Sequence, residues 1–91
     1  MAPLNRVFLY VHEGPGGRNR LSSGTWKDIE RLNLQLKDGM RLALWNTDTD
    51  ESGNEDNLLF EGNLHYDGKT KEWSIIVDES SYHHESDHGG K

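Results

Sequence analysis

The chain has 91 residues, no cysteine and a mean hydropathy of −0.92. This length allows one small domain, and the missing cysteines exclude both a disulfide framework and a zinc site with cysteine ligands. No apolar run approaches the roughly 20 residues that span a membrane, and the N-terminus lacks the basic and apolar regions of a signal peptide. We therefore expect a cytoplasmic protein that does not bind membranes.

The charge is unevenly distributed along the chain. The formal net charge is −6, with seven Lys or Arg and four acidic residues in residues 1–45, against three Lys and twelve acidic residues in residues 46–91. The first half therefore carries +3 and the second −9. Because nucleic-acid binding requires a positive surface that displaces counterions from phosphates, the overall acidity argues against nucleic acid as the main partner.

The first part of the chain predicts one strand, one loop and one short helix. Residues 7–11 are rich in β-branched and aromatic residues, and because both faces are apolar we expect a central or barrel strand. Residues 13–24 are rich in glycine and polar residues and predict a mobile loop. Thr25, with Asp28 three residues later, predicts a helix N-cap. Trp26, Ile29 and Leu32 then recur at helical spacing, so we expect two turns of helix ending near Asn33.

Two alternating apolar runs follow, and they predict a first hairpin. Leucines at 32, 34 and 36 alternate with polar residues, and the alternation resumes at 40, 42 and 44. A three-residue loop over residues 37–39 places both apolar sets on one face, with Gly39 in the left-handed position. The competing interpretation is a helix that continues to Leu36 and enters a single strand at Met40.

A second hairpin is indicated by the residues around a Gly-Lys-Thr-Lys segment. Pairing Tyr66 with Trp73 brings Leu64 opposite Ile75 and leaves residues 68–71 as a four-residue loop. The same register places Gly62 opposite Val77, at a position where the strand can bend sharply.

These elements predict a mainly β fold: one small barrel of four to five antiparallel strands over residues 1–79, with one short helix. Residues 80–91 are rich in histidine and acids and contain one aromatic and no aliphatic residue, so we expect a disordered tail. The pattern Leu-Lys-Asp-Gly-Met-Arg-Leu-Ala-Leu-Trp, an acidic loop, Leu-Phe-Glu-Gly-Asn-Leu-His-Tyr and Trp-Ser-Ile-Ile-Val-Asp, over residues 34–78, resembles SH3-like barrels. The resemblance implies a fold and no function, and an OB-like barrel is the alternative.

The acidic loop between the two hairpins partly matches a calcium-binding loop. Acidic residues stand at the first, third and ninth positions, with serine and glycine at the fifth and sixth. The twelfth position is Leu59 instead of the glutamate that binds calcium with both oxygens. A calcium- or metal-responsive structural domain using loop 48–56 is therefore an alternative, and we expect no metal or other cofactor.

The sequence favours recognition of another protein over catalysis. No Ser, His and acid set lies on predicted rigid elements, so we expect no enzyme and no catalytic residues. Alternation places Trp45 on the opposite face from Leu44, where it is either exposed or covered in a second small core with Trp26 above it. If exposed, it suits a monomeric module that binds a basic or proline-containing protein segment. The predicted interaction residues are Trp45, Asp48, Asp50, Glu51, Glu55 and Asp56.

A further alternative uses the positive first half of the chain. Four arginines, if they gather on one face of the fold, would form a weak nucleic-acid-binding surface. They are Arg18, Arg20, Arg31 and Arg41.

Overall fold

The computed structural model describes residues 5–12, 17–49 and 51–87, and shows a curled, half-barrel sheet of five strands with one helix. The strand order across the sheet is β1-β3-β4-β5-β2. The elements are β1 (Val7–Phe8), β2 (Arg18–Arg20), α1 (Ser23–Arg31), β3 (Arg41–Asn46), β4 (Leu58–Asp67), β5 (Glu72–His84) and a short 3-10 helix (Glu85–Asp87). The mainly β prediction is confirmed at this level.

The two edges of the sheet lie close together because the sheet curls. The Leu9 amide donates to the Trp45 carbonyl on β3 at 3.0 Å, while the His12 amide donates to Asn19 Oδ1 on β2 at 3.0 Å. Three residues of extended chain span about 10 Å. In a flat sheet β1 and β2 would stand four strand spacings apart, about 19 Å, so the sheet is bent around its core.

The edge position of β1 corrects the prediction of a central strand, and its pairing corrects the prediction that all strands are antiparallel. β1 pairs with β3 in parallel, with Val7 opposite Leu44. On its other side the helix supplies the partners, because Asp28 Oδ2 accepts from the Phe8 amide at 2.9 Å and Arg31 donates to the Arg6 carbonyl at 3.2 Å. Both faces of β1 are apolar because the core covers one and the helix region the other.

The N-cap of the helix lies three residues before the predicted one. Ser22 is the N-cap, its Oγ accepts from the Thr25 amide at 3.4 Å, and Thr25 Oγ1 accepts from the Ser22 amide at 3.2 Å. Thr25 therefore occupies the third helical position of a capping box, where its hydroxyl performs the task usually given to glutamate or glutamine. Residues 18–20 and 23–24 of the predicted loop 13–24 thus belong to β2 and α1, and residues 13–16 lie outside the described part.

The first predicted hairpin is wrong, and the reason is the way the helix ends. Asn33 adopts a left-handed conformation (φ 54°), its amide donates to the Glu30 carbonyl, and the Leu34 amide donates to the Ile29 carbonyl. This is the Schellman pattern that reverses the chain after a helix. The alternating leucines of residues 32–36 then pack against the core as irregular chain, while β4 occupies the edge of β3. The competing single strand at Met40 begins one residue later, without the longer helix.

The second hairpin is confirmed in its register. Tyr66 lies opposite Trp73, Leu64 opposite Ile75 and Gly62 opposite Val77, with residues 68–71 as the connecting loop. Its inner face contributes Phe60, Leu64 and Ile75 to the core. The buried cluster comprises Val7, Leu9, Ile29, Leu42, Leu44, Phe60, Leu64 and Ile75.

The chain after residue 79 differs from the disordered tail that composition predicts. β5 continues to His84, and residues 85–87 form the 3-10 helix, while residues 88–91 lie outside the described part. Tyr82 stacks on the buried Phe60 with ring centroids 4.9 Å apart. This single aromatic contact, together with pairing to β4, orders a segment that has no aliphatic residue.

Within the described residues, no helix is long and apolar enough to cross a membrane.

Candidate functional site

The helix holds the indole of Trp45, the predicted anchor, in place. The indole Nε1 donates to Asp28 Oδ2 at 3.0 Å, and the Phe8 ring meets the indole edge to face at 5.2 Å. Trp45 is half-buried. Gly24, one helical turn before Asp28, lies close to the Phe8 ring: a Cβ at Gly24 would stand 3.0 Å from that ring. The covering of Trp45 therefore comes from the Gly24 and Asp28 face of α1, while Trp26 lies on another face and is 43% exposed.

Loop 48–56 is closed by its own backbone. The Asp56 amide donates to the Asp48 carbonyl at 2.9 Å, and Thr49 and Glu55 form an isolated antiparallel β-bridge. Glu51 and Glu55 are exposed, while Asp48 and Asp56 are half-buried. The structure thus brings these four predicted residues into one loop, and Asp50 lies outside the described residues.

The end of β5 fastens this loop. His84 Nε2 lies 2.7 Å from Asp48 Oδ2, and the Ser86 hydroxyl donates to Asp56 Oδ2 at 2.7 Å. The bond to His84, with a smaller contribution from the Thr49 amide, holds the pKa of Asp48 below its ordinary value of 3.8. The hydroxyl and amide of Ser86 likewise lower the pKa of Asp56. Two of the predicted acidic residues are therefore already occupied by bonds within the chain.

We expect the stability that Asp48 provides to depend on pH. Its folded pKa is lower than its unfolded value, so the contribution is complete above that unfolded value of 3.8 and is lost as the pH falls through the folded value. Urea unfolding should show Asp48→Asn less stable than the parent at about pH 6, and the difference should shrink progressively as the pH is lowered below 3.8. Glu51→Gln, in the exposed part of the loop, is the control, and an Asp48→Asn difference that persists at the lower pH contradicts the account.

The calcium alternative finds no ligand set in the described part of the chain. Among residues 5–12, 17–49 and 51–87, no three His, Asp or Glu side chains are arranged to hold a metal ion. The contact with His84 directs the Asp48 carboxylate towards the end of β5, and the contact with Ser86 directs the Asp56 carboxylate towards the 3-10 helix.

The four arginines do not form one surface. Arg41 bonds Glu61 at 2.9 Å and Asp78 at 2.7 Å on the outer face of the sheet, and Arg31 bonds Asp28 at 3.2 Å beside the helix. Arg18 and Arg20 point outward from β2 onto the same face of the sheet as Arg41, but β4 and β5 lie between β2 and β3. Arg31 lies apart from these three arginines, and the carboxylates of Glu61 and Asp78 pair with Arg41.

The structure reveals a groove that sequence reasoning missed. It lies between α1 and the β4–β5 hairpin, has a volume of about 310 Å³, and is lined by Arg20, Leu21, Trp26, Lys71, Glu72 and Trp73. Trp73 is half-buried, and Tyr66 packs against its ring with centroids 4.7 Å apart. Two tryptophans from distant parts of the chain therefore form the aromatic walls of an open groove, which we call the tryptophan groove.

Each tryptophan lies at the margin of the core, on a part of its helix or strand that the core covers only partly. Trp26 falls on the side of α1 away from the Asp28 contacts, and Trp73 is the second residue of β5, at the hairpin end of the sheet. In the sequence both residues fit an apolar stripe and so predict core positions. The signal available in the sequence was that a chain with only 32% hydrophobic residues has a small core, which two side chains as large as tryptophan do not easily fit inside.

Comparison of the chain with protein-family models, with curated proteins and with solved structures finds no match.

Proposed function

We propose that this protein is a protein-interaction module that binds a proline-containing segment in the tryptophan groove. The single observation that carries the proposal is the pairing of Trp26 and Trp73 across one open groove. Proline-rich segments bind between aromatic side chains because their extended conformation is already formed, so little conformational entropy is lost. The half-barrel is compatible with an SH3-like architecture, which we propose as the finer description of the fold.

The exposure of Trp26 supports recognition over a structural role. An exposed large aromatic side chain forms little of the core, and at 43% exposure Trp26 still offers a wide apolar surface to a partner. Arg20 and Lys71 border the groove with Glu72 between them. This mixture of charges favours a peptide that presents an acidic residue beside its prolines.

The test is titration of isotopically labelled protein with a proline-containing peptide that has an acidic flank. The indole signals of Trp26 and Trp73 should shift and saturate, while that of Trp45 should stay in place because its N–H already bonds Asp28. Trp26→Ala should weaken binding by about tenfold, as expected for loss of an aromatic anchor. Tyr10→Ala is the matched control, since Tyr10 is 62% exposed and does not line the groove. Unchanged affinity in Trp26→Ala contradicts the proposal.

A second candidate is binding of a basic segment by loop 48–56. Its support is that Glu51 and Glu55 are exposed on a loop whose shape is held by the Asp48 and Asp56 contacts. The same titration with a basic peptide should then shift the amides of residues 48–56 and leave the indoles of the groove unchanged. Shifts confined to the groove would contradict this second candidate.

A further inference from the structure

A separate pocket lies on the outer face of the sheet, where β2, β5 and β4 run side by side. Its volume is about 200 Å³. The register aligns Arg20, Ser74 and His65 in one row across the three strands, with Glu72 and Asp67 in the next row towards the hairpin. Side chains from three strands thus converge on one small concave surface.

The floor of this pocket has an unused hydroxyl group. Ser74 is only 8% exposed and lines the pocket, and its hydroxyl makes no hydrogen bond with any residue that the structure describes. Among the described residues, the Ser74 oxygen is not one of the fully buried side-chain polar atoms without a partner, so it is accessible from the pocket. The hydroxyl is therefore available to bond a ligand or a water molecule there.

The walls carry both signs of charge. Arg18 and Arg20 extend from β2, Glu72 lies on β5 and Asp67 lies on β4. β2 and β4 are two strand spacings apart, about 10 Å. A ligand in this space therefore meets guanidinium groups on the β2 side and the Asp67 carboxylate on the β4 side, with the Glu72 carboxylate between them.

The contacts within the walls leave these groups available. Arg20 reaches Glu72 at 3.4 Å, but the two side chains are 76% and 47% exposed, and such exposed pairs contribute little. Asp67 accepts the Lys69 amide at 2.9 Å, and this bond, with smaller contributions from Thr70, Arg18 and His65, keeps the pKa of Asp67 below its ordinary value. Asp67 therefore stays negatively charged at neutral pH.

We infer that this pocket binds a small zwitterion of the α-amino acid class. The carboxylate of the ligand would meet Arg18, Arg20 and the Ser74 hydroxyl, its ammonium would meet Asp67 and Glu72, and an apolar side chain would rest against Trp73. A doubly negative oxyanion fits less well, because Asp67 and Glu72 would repel it. The inference does not depend on the tryptophan groove, although Arg20, Glu72 and Trp73 border both.

The test uses L-leucine and two derivatives that each lack one charge. Added to labelled protein at about 10 mM, L-leucine should give saturable shifts of the Ser74 and His65 amides. N-acetyl-L-leucine, without the ammonium, and L-leucinamide, without the carboxylate, should each bind at least about tenfold more weakly, since each leaves one charged wall unpaired. Equal binding of N-acetyl-L-leucine, tighter binding of inorganic phosphate, or no saturable shift with L-leucine would overturn the inference.

Variants separate this pocket from the tryptophan groove. Arg18→Gln and Ser74→Ala alter residues that do not line the groove, and both should weaken L-leucine binding, Arg18→Gln by about tenfold. Lys37→Gln removes an exposed charge elsewhere and should leave L-leucine affinity unchanged. Trp26→Ala should weaken peptide binding by about tenfold and leave L-leucine binding unchanged, so failure of one proposal is distinguishable from failure of the other. Unchanged L-leucine affinity in Arg18→Gln would contradict the inference.

Discussion

Replacement of Asp28 by alanine is expected to lower the free energy of unfolding by about 3 kcal/mol, because its carboxylate joins three parts of the fold. Oδ2 accepts from the Phe8 amide at 2.9 Å and from the Trp45 indole at 3.0 Å, and Oδ1 accepts from Arg31 at 3.2 Å. Alanine leaves both the half-buried indole N–H and the edge amide of β1 without an acceptor. Urea unfolding followed by far-ultraviolet circular dichroism measures the loss.

Two further variants serve as controls for Asp28→Ala, one at another position of the same helix and one that removes only the charge of Asp28. Glu30→Ala, on an exposed position of the same helix, should change stability by less than about 0.5 kcal/mol. Asp28→Asn keeps an oxygen for Phe8 and Trp45 and loses only the ion pair with Arg31, so we expect a cost near 1 kcal/mol. If Asp28→Ala proves no more harmful than Glu30→Ala, the helix does not secure the edge of β1 in this way.

Replacement of Gly62 by alanine is expected to cost about 3 kcal/mol, for a steric reason. A Cβ at this position would stand 2.8 Å from Ile75 Cγ2, 2.8 Å from the Ile76 carbonyl oxygen and 3.2 Å from Leu44 Cδ1. The Ile76 oxygen belongs to the backbone of β5, so relief requires the two strands to separate, and Ile75 is fully buried. Chemical unfolding at neutral pH is the measurement.

Gly68 offers a matched control within the same hairpin. No heavy atom lies within 4 Å of a Cβ built there, so Gly68→Ala should change the free energy of unfolding by less than about 0.5 kcal/mol. A slight stabilisation is also consistent, because alanine lowers the conformational entropy of the unfolded chain. The large difference between the two glycines is the expected result. Similar values for both variants would contradict the close packing of β4 and β5 at Gly62.

The second hairpin was predictable because both of its strands alternate with the same period and only one register aligns their apolar faces. Tyr66, Leu64 and Gly62 therefore meet Trp73, Ile75 and Val77 as expected. The first hairpin failed although its alternation is equally regular. Alternation reports that one side of an extended segment faces the core, and residues 32–36 satisfy this as irregular chain after the Schellman turn at Asn33.

The candidate sites were less predictable than the fold. Trp45 and the acidic loop stand out by residue type, but whether a tryptophan is covered depends on which helix face reaches it. The tryptophan groove requires Trp26 and Trp73, and the outer pocket requires β2 beside β5, which are contacts between residues about 50 positions apart in sequence. No local pattern encodes such contacts.

The sequence by itself determined the mainly β class, the register of the β4–β5 hairpin, the presence of one short helix and the division of charge. Each of these follows from local periodicity, turn residues or simple counting. Only the tertiary structure decided that β1 is a parallel edge strand sealed by Asp28, that residues 80–84 extend β5, and that two tryptophans share a groove. The physical reason is that these features come from packing and hydrogen bonding between distant segments, whose energies outweigh local preference.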